Sequence, residues 1–120
     1  MEIRAIRGAT KLSEDTVTEM DEAVSELLLE IVKRNDIDLG DIVSVFFTAT
    51  PDIKSAFPAA AARKLGWRDI PLMCGVEMDV INALKPVVRV MMQVKSAKSR
   101  SEINHVYLRG AEALRLDIAQ

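Results

Sequence analysis

The sequence predicts an α+β fold: a mixed five-stranded sheet with one long helix and a short second helix. Three observations carry this. Apolar residues recur at three- and four-residue spacing from Val17 to Val32, short apolar stretches punctuate the rest of the chain, and Gly, Pro, Asn and Asp fall between them. The resulting order is strand, helix, strand, short helix, then three strands, which suits one sheet covered by helices.

The first strand is read over residues 3–7, IRAIR, which partly alternates and ends at Gly8. The long helix comes next. Thr16 and Glu19 have capping-box spacing, and Met20, Ala23, Val24, Leu27, Leu28 and Ile31 share one face. Lys33 and Arg34 suit its C-terminal dipole, and Asn35 its exit. After the turn at DIDLGD, residues 42–48 (IVSVFFT) read as a buried strand, stopped before Pro51. Pro58 opens the short alanine-rich helix and Gly66 closes it. Residues 70–77 (IPLMCGVE) form a weaker strand interrupted by Gly75, and DVINALKP reads as a loop. Strands are read at 87–94 and 105–109, joined by the polar stretch KSAKSRSE, with a tail over about 111–120. One long helix cannot cover both faces of such a sheet, so self-association is expected on the open side.

A chain of 120 residues suits a single domain spanning 1–120, and a hydrophobic fraction of 49% supplies a core. No apolar run reaches the roughly 18–20 residues of a membrane span. The N-terminal MEIRAIRGAT lacks the apolar centre of a signal peptide, and one cysteine makes no internal disulfide, so a cytoplasmic protein is expected. A net charge of −2 speaks against nucleic acid as a partner. Nine of the sixteen cations are arginine, several beside apolar segments, which points to a small anion bound bidentately.

Familiar catalytic constellations are missing. His105 has no Ser or Cys partner in a nucleophile motif, one Cys and one His are too few for a metal site, and no phosphate loop occurs. Neither metal nor cofactor is expected. One residue stands out instead. Arg89 interrupts the apolar strand VVRVMMQV, and a guanidinium amid Val and Met needs an anionic partner, either a structural acid or a ligand. Alternation places Val87, Arg89, Met91 and Gln93 on one face, expected to wall a cleft.

Seven segments taken in order, IRGAT, TATPD, AFPAAAAR, PLMCGVEMDV, VVRVMMQV, HVYL and ALRLD, resemble the small trimeric α/β class of monofunctional chorismate mutase. The resemblance implies a homotrimer forming a pseudo-α/β-barrel, with active sites between subunits. It also implies rearrangement of chorismate to prephenate, in phenylalanine and tyrosine biosynthesis, without cofactor or metal. By the same resemblance Arg89 stabilises the breaking ether oxygen, while Arg7 and Tyr107 bind carboxylate. Glu77 and Cys74 meet the ring hydroxyl, and Arg63 and Arg115 lie at the cleft mouth and tail. Phe57, Ala59, Leu72, Met73 and Leu114 supply apolar walls. Three positions depart from the pattern: Ala60 where a lysine occurs, Met73 where a small hydroxyl residue occurs, and Leu116 where proline follows the tail arginine. Two other readings remain open: a non-catalytic trimeric module binding a small anionic metabolite, and a related enzyme acting on enamines or keto acids.

Overall fold

The computed structural model describes residues 1–115. Five strands, β1 (Glu2–Lys11), β2 (Ile42–Ala49), β3 (Leu72–Val76), β4 (Val87–Ser96) and β5 (Val106–Leu108), form one sheet in the order β3-β2-β4-β1-β5. Helices α1 (Val17–Arg34) and α2 (Pro58–Lys64) lie on one side of it. The sheet is mixed. β4 runs antiparallel to both β1 and β2, while β3 is parallel to β2 and β5 to β1. Both the fold class and the element order match the sequence reading. No helix among the described residues is long and apolar enough to cross a membrane.

Strand boundaries differ for physical reasons. β1 runs past Gly8 because residues 8–10 pair with β4 on one side and β5 on the other. β4 extends to Ser96, opposite Glu2. β3 is shorter than expected: Ile70 is buried in the helix-side core before the strand begins. The polar stretch after β4 contains a single 3-10 turn at Arg100–Glu102, and Ser99 N–H donates to Glu102 at 2.8 Å.

Alternation decides which face each side chain takes. On β4, Val88, Val90, Met92 and Val94 are buried against the helices, together with Ile6, Val45, Phe47 and Val106 from the neighbouring strands. Helix α1 adds Met20, Ala23, Val24, Leu27, Leu28 and Ile31, the same stripe read from the sequence. Burial of each large side chain is worth about 1.5–3 kcal/mol, so this layer dominates stability. Thr16 caps α1 as expected, accepting from Glu19 N–H at 3.1 Å. The reciprocal half of the box is absent. The Glu19 carboxylate turns instead to Ser13 N–H at 2.8 Å. At the other end, buried Asn35 donates to Ile31 and Asn104 carbonyls and accepts from Asn104 N–H, latching α1 to the approach of β5.

The opposite face is largely uncovered. Phe46, Met73 and Ile3 point from it with 45%, 60% and 53% exposure. Among the described residues only one end is roofed, where a 3-10 turn at Ala111–Leu114 lays Ala111 and Leu114 against Ala9, Val87, Tyr107 and Leu84. The first part of the expected tail is therefore docked structure. Residues 116–120, including Leu116, lie outside the described residues.

Gly8 marks the closest approach of sheet to helix. A Cβ there would lie 2.9 Å from Ile31 Cδ1 and 3.0 Å from both the Val106 carbonyl and Val90 Cγ1. Gly8→Ala should destabilise the fold by about 1–3 kcal/mol, as overpacking does. Urea unfolding checks this, and an unchanged midpoint would show that α1 yields freely.

Candidate active site

On the uncovered face, register sets side chains in two rows across the strands. Thr48 on β2, Arg89 on β4, Ala9 on β1 and Tyr107 on β5 are successive partners in one row. Two residues along lies the second row: Met73, Phe46, Met91 and Arg7. A recess of about 270 Å³ opens between them, and Arg115 reaches its wall from the C-terminal turn. Arg7 and Arg89 are diagonal neighbours on β1 and β4, a relation that usually separates Cα atoms by about 7–8 Å. Ala9, between Arg89 and Tyr107, is buried under the C-terminal turn.

Arg89 departs from expectation in one respect. It is an exposed side chain, 45% accessible, not a buried one, and its Nε lies 3.1 Å from Glu77 Oε2. The internal acid is thus a residue that the resemblance itself assigns to the site. Glu77 leaves β3 just as its N–H donates to the Ala49 carbonyl. Its Oε2 also accepts from the Thr48 hydroxyl at 2.8 Å, and its side chain is only 14% accessible. A carboxylate fixed by two donors holds the guanidinium in one orientation. Among the described residues, three arginines line the recess and Glu77 pairs with one of them, a set of donors that suits a small anion.

A second recess, about 460 Å³, opens at the C-terminal ends of β2 and β3, beside the start of α2. Phe57, Pro58, Cys74 and Val76 line it, and it shares no lining residue with the first. Cys74 packs partly against the helix-side core, on the opposite face of β3 from Met73. Within one protomer its thiol is therefore not brought beside Glu77. Ala59 is buried in that core and Leu72 packs against it. Neither lines the recess, and of the four expected wall residues in this region Phe57, 70% exposed, lines it while Met73 belongs to the open face. Arg63 is exposed on α2. Leu114 packs beside Tyr107 in the small cluster at the roofed end.

Sequence reasoning misses two contributors. Thr48 reads only as the end of a strand, since nothing local shows that its hydroxyl anchors an acid 29 residues away. His105 reads as a histidine without a nucleophile. Its Nδ1 accepts the backbone N–H of Arg7 at 2.9 Å, replacing a ladder carbonyl one residue before β5 begins. Burial pushes the imidazole pKa down, and the guanidinium charges of Arg7 and Arg115 push it further. The ring is thus held neutral, with Nδ1 as the acceptor.

The chorismate mutase type I family model matches residues 3–118. The chorismate mutase AroH of Bacillus subtilis (strain 168) is 42% identical over 120 residues, covering 99% of this chain and 94% of the relative. The Thermus thermophilus chorismate mutase AroH is 39% identical over 117 residues, covering 97% and 96%. A solved chorismate mutase structure from Clostridium thermocellum superposes with a TM-score of 0.90 at 44% identity, covering 92% of this chain and 98% of that one.

The His105 contact has a pH signature. A depressed folded-state pKa means that the unfolded chain takes up the proton first. The contribution is therefore full above the ordinary imidazole value of about 6.5 and is lost as pH falls below it. Stability measured by urea unfolding should drop between pH 7.5 and 5, above the range of the depressed carboxylates Asp15, Glu19 and Glu102. His105→Asn, which keeps an acceptor that does not titrate, should flatten that slope. An unaltered slope would remove His105 from the account.

Proposed function

This chain belongs to the type I chorismate mutases, and we propose that it converts chorismate to prephenate in aromatic amino acid biosynthesis by restraining the substrate beside Arg89. The observation that supports this most directly is Arg89, paired with Glu77, lining a recess with Arg7, Tyr107 and Arg115.

The rearrangement breaks a C–O bond as a C–C bond forms, within one molecule and without a covalent enzyme intermediate. Negative charge grows on the ether oxygen as its bond lengthens. A fixed cation there binds the transition state more tightly than the substrate, which is what lowers the barrier. Glu77 occupies Nε of Arg89, so the Nη groups are the donors assigned to that oxygen. Glu77 Oε2 serves Thr48 and Arg89, and Oε1 is the acceptor assigned to the ring hydroxyl. Arg7, Arg115 and the Tyr107 phenol receive the two carboxylates. A millionfold acceleration needs roughly 8 kcal/mol. One preorganised donor supplies about 3–4 kcal/mol, and holding the enolpyruvyl arm in a reactive chair supplies several more.

The working form is a homotrimer with sites between subunits. Two features support this. Of the site residues named from sequence, Arg7, Arg89, Tyr107 and Arg115 line one recess of the protomer and Phe57 and Cys74 line another, and the sheet face around the first carries exposed Phe46 and Met73. A neighbouring copy would cover that face and set its Phe57 and Cys74 recess opposite the arginines. The apolar loop after β3, with Met78 and Ile81 more than four-fifths exposed, would be covered by the same association. A cytoplasmic location fits a biosynthetic role.

Mixing the protein with chorismate and following loss of its diene absorbance tests the reading; a binding module would leave the signal unchanged. Arg89→Gln should lower kcat by about two to three orders of magnitude, with KM affected less. Arg89→Lys should not restore the rate, because a point charge cannot hold Glu77 and the ether oxygen together as the fork does. Near-normal kcat in either variant would contradict the mechanism.

A further inference from the structure

The chain turns sharply where it leaves β5. Arg109 and Gly110 have φ of +55° and +93°, the left-handed region that few residues other than glycine adopt. Arg109 is held there by α1. Its Nη1 lies 2.9 Å from Glu19 Oε1 and its Nε 3.1 Å from Glu26 Oε1. Glu19 and Glu26 stand seven residues, two helical turns, apart on one face of α1. Glu19 is itself tied down through Oε2, which accepts from the Ser13 N–H and hydroxyl. One guanidinium therefore joins the β1–α1 loop, two turns of the helix and the residue after β5.

The segment beyond this elbow lies on the other side of the sheet. Ala111 is fully buried against Ala9, Val87 and Tyr107, and Leu114 packs on the same cluster. Arg115 then reaches the recess that holds Arg7 and Arg89. The chain thus passes around the β5 edge from the helix side to the catalytic face, with the elbow at residues 109–110. Without the clasp the elbow would lose its tie to the helix side, and the segment would rest on the Ala111 and Leu114 contacts alone among those described.

We propose that Arg109 is a positioning residue for substrate binding: by gripping Glu19 and Glu26 it sets the elbow from which Leu114 and Arg115 are presented to the cleft. This rests on the reading of the cleft as the chorismate site. Arg109 lines neither recess, so it acts through the segment C-terminal to it. A pinned elbow reduces the conformations open to this segment before the ligand arrives, an effect on binding and not on the bond-breaking step. The two carboxylates are met by separate arms of a planar fork, which lysine lacks.

Steady-state kinetics with chorismate test this on the full chain carrying Arg109→Ala, Arg109→Lys, Arg115→Ala or the Arg109→Ala/Arg115→Ala pair. Thermal unfolding of each is measured alongside. Arg109→Ala should raise KM about fivefold, the scale of two exposed ion pairs, with kcat within about twofold of the parent. Arg109→Lys should recover part of the loss. Arg115→Ala should raise KM further, and adding Arg109→Ala to it should change KM by less than about twofold, because the route is already cut. A parental KM in Arg109→Ala beside a raised KM in Arg115→Ala would overturn the inference alone. So would fully multiplicative effects, or kcat falling together with the unfolding temperature. An unchanged KM in Arg115→Ala would overturn the presentation of the tail while leaving the mutase reading intact. A parent protein that does not consume chorismate would overturn that reading and this inference with it.

Discussion

The contact between Arg89 Nε and Glu77 Oε2, 3.1 Å long, is the interaction around which the site is built. It joins the central strand to the residue just past the edge strand β3, and the Thr48 hydroxyl on the intervening strand secures the acid. An ion pair this accessible adds little to stability. Its consequence is geometric: a guanidinium fixed at one nitrogen keeps its remaining donors aimed. The sheet must then meet a strict condition. β4 must be in register with β1 and β2 so that Arg89 meets Thr48 and Ala9, and a slip of one residue would send the arginine into the helix-side core. The Val88, Val90, Met92 and Val94 layer prevents that slip, because the same shift would expose it. Packing on one face thus specifies chemistry on the other.

The open face carries a cost that the helix side does not. Exposed Phe46, Met73 and Ile3 around a cationic recess would be a liability on an isolated protomer. The proposed trimer would resolve this, its covering surface bringing the second recess to the first. The C-terminal turn solves the problem locally. It roofs the Tyr107 end with Ala111 and Leu114 and carries Arg115 to the wall.

Much of this is legible in the sequence, and the reasons are specific. The stripe on α1, Pro58 at the start of α2 and the alternation in β4 are local patterns with one structural solution each, so those elements are found with correct faces. Arg89 is conspicuous because its neighbours are apolar, yet those neighbours suggest burial where the structure shows exposure: alternation puts the arginine on the uncovered side while its neighbours go inward. The partner of the guanidinium is not legible from periodicity, since Glu77 comes from another part of the sheet. The resemblance names both residues but not their contact. Thr48, His105 and the Arg109 clasp depend on pairings across 29 to 98 positions, and no local signal encodes those. The Cys74 thiol shows the converse limit. A motif places it three residues from Glu77, and strand parity turns the two to opposite faces.

The most direct test is a crystal structure with an oxabicyclic dicarboxylic acid shaped like the chair transition state. The account predicts Arg89 Nη within about 3 Å of the ether-type oxygen, Nε still on Glu77, and a second copy of the chain closing the opposite wall. An inhibitor bound elsewhere, with Arg89 engaged by Glu77 alone and no neighbouring copy at the recess, would contradict it.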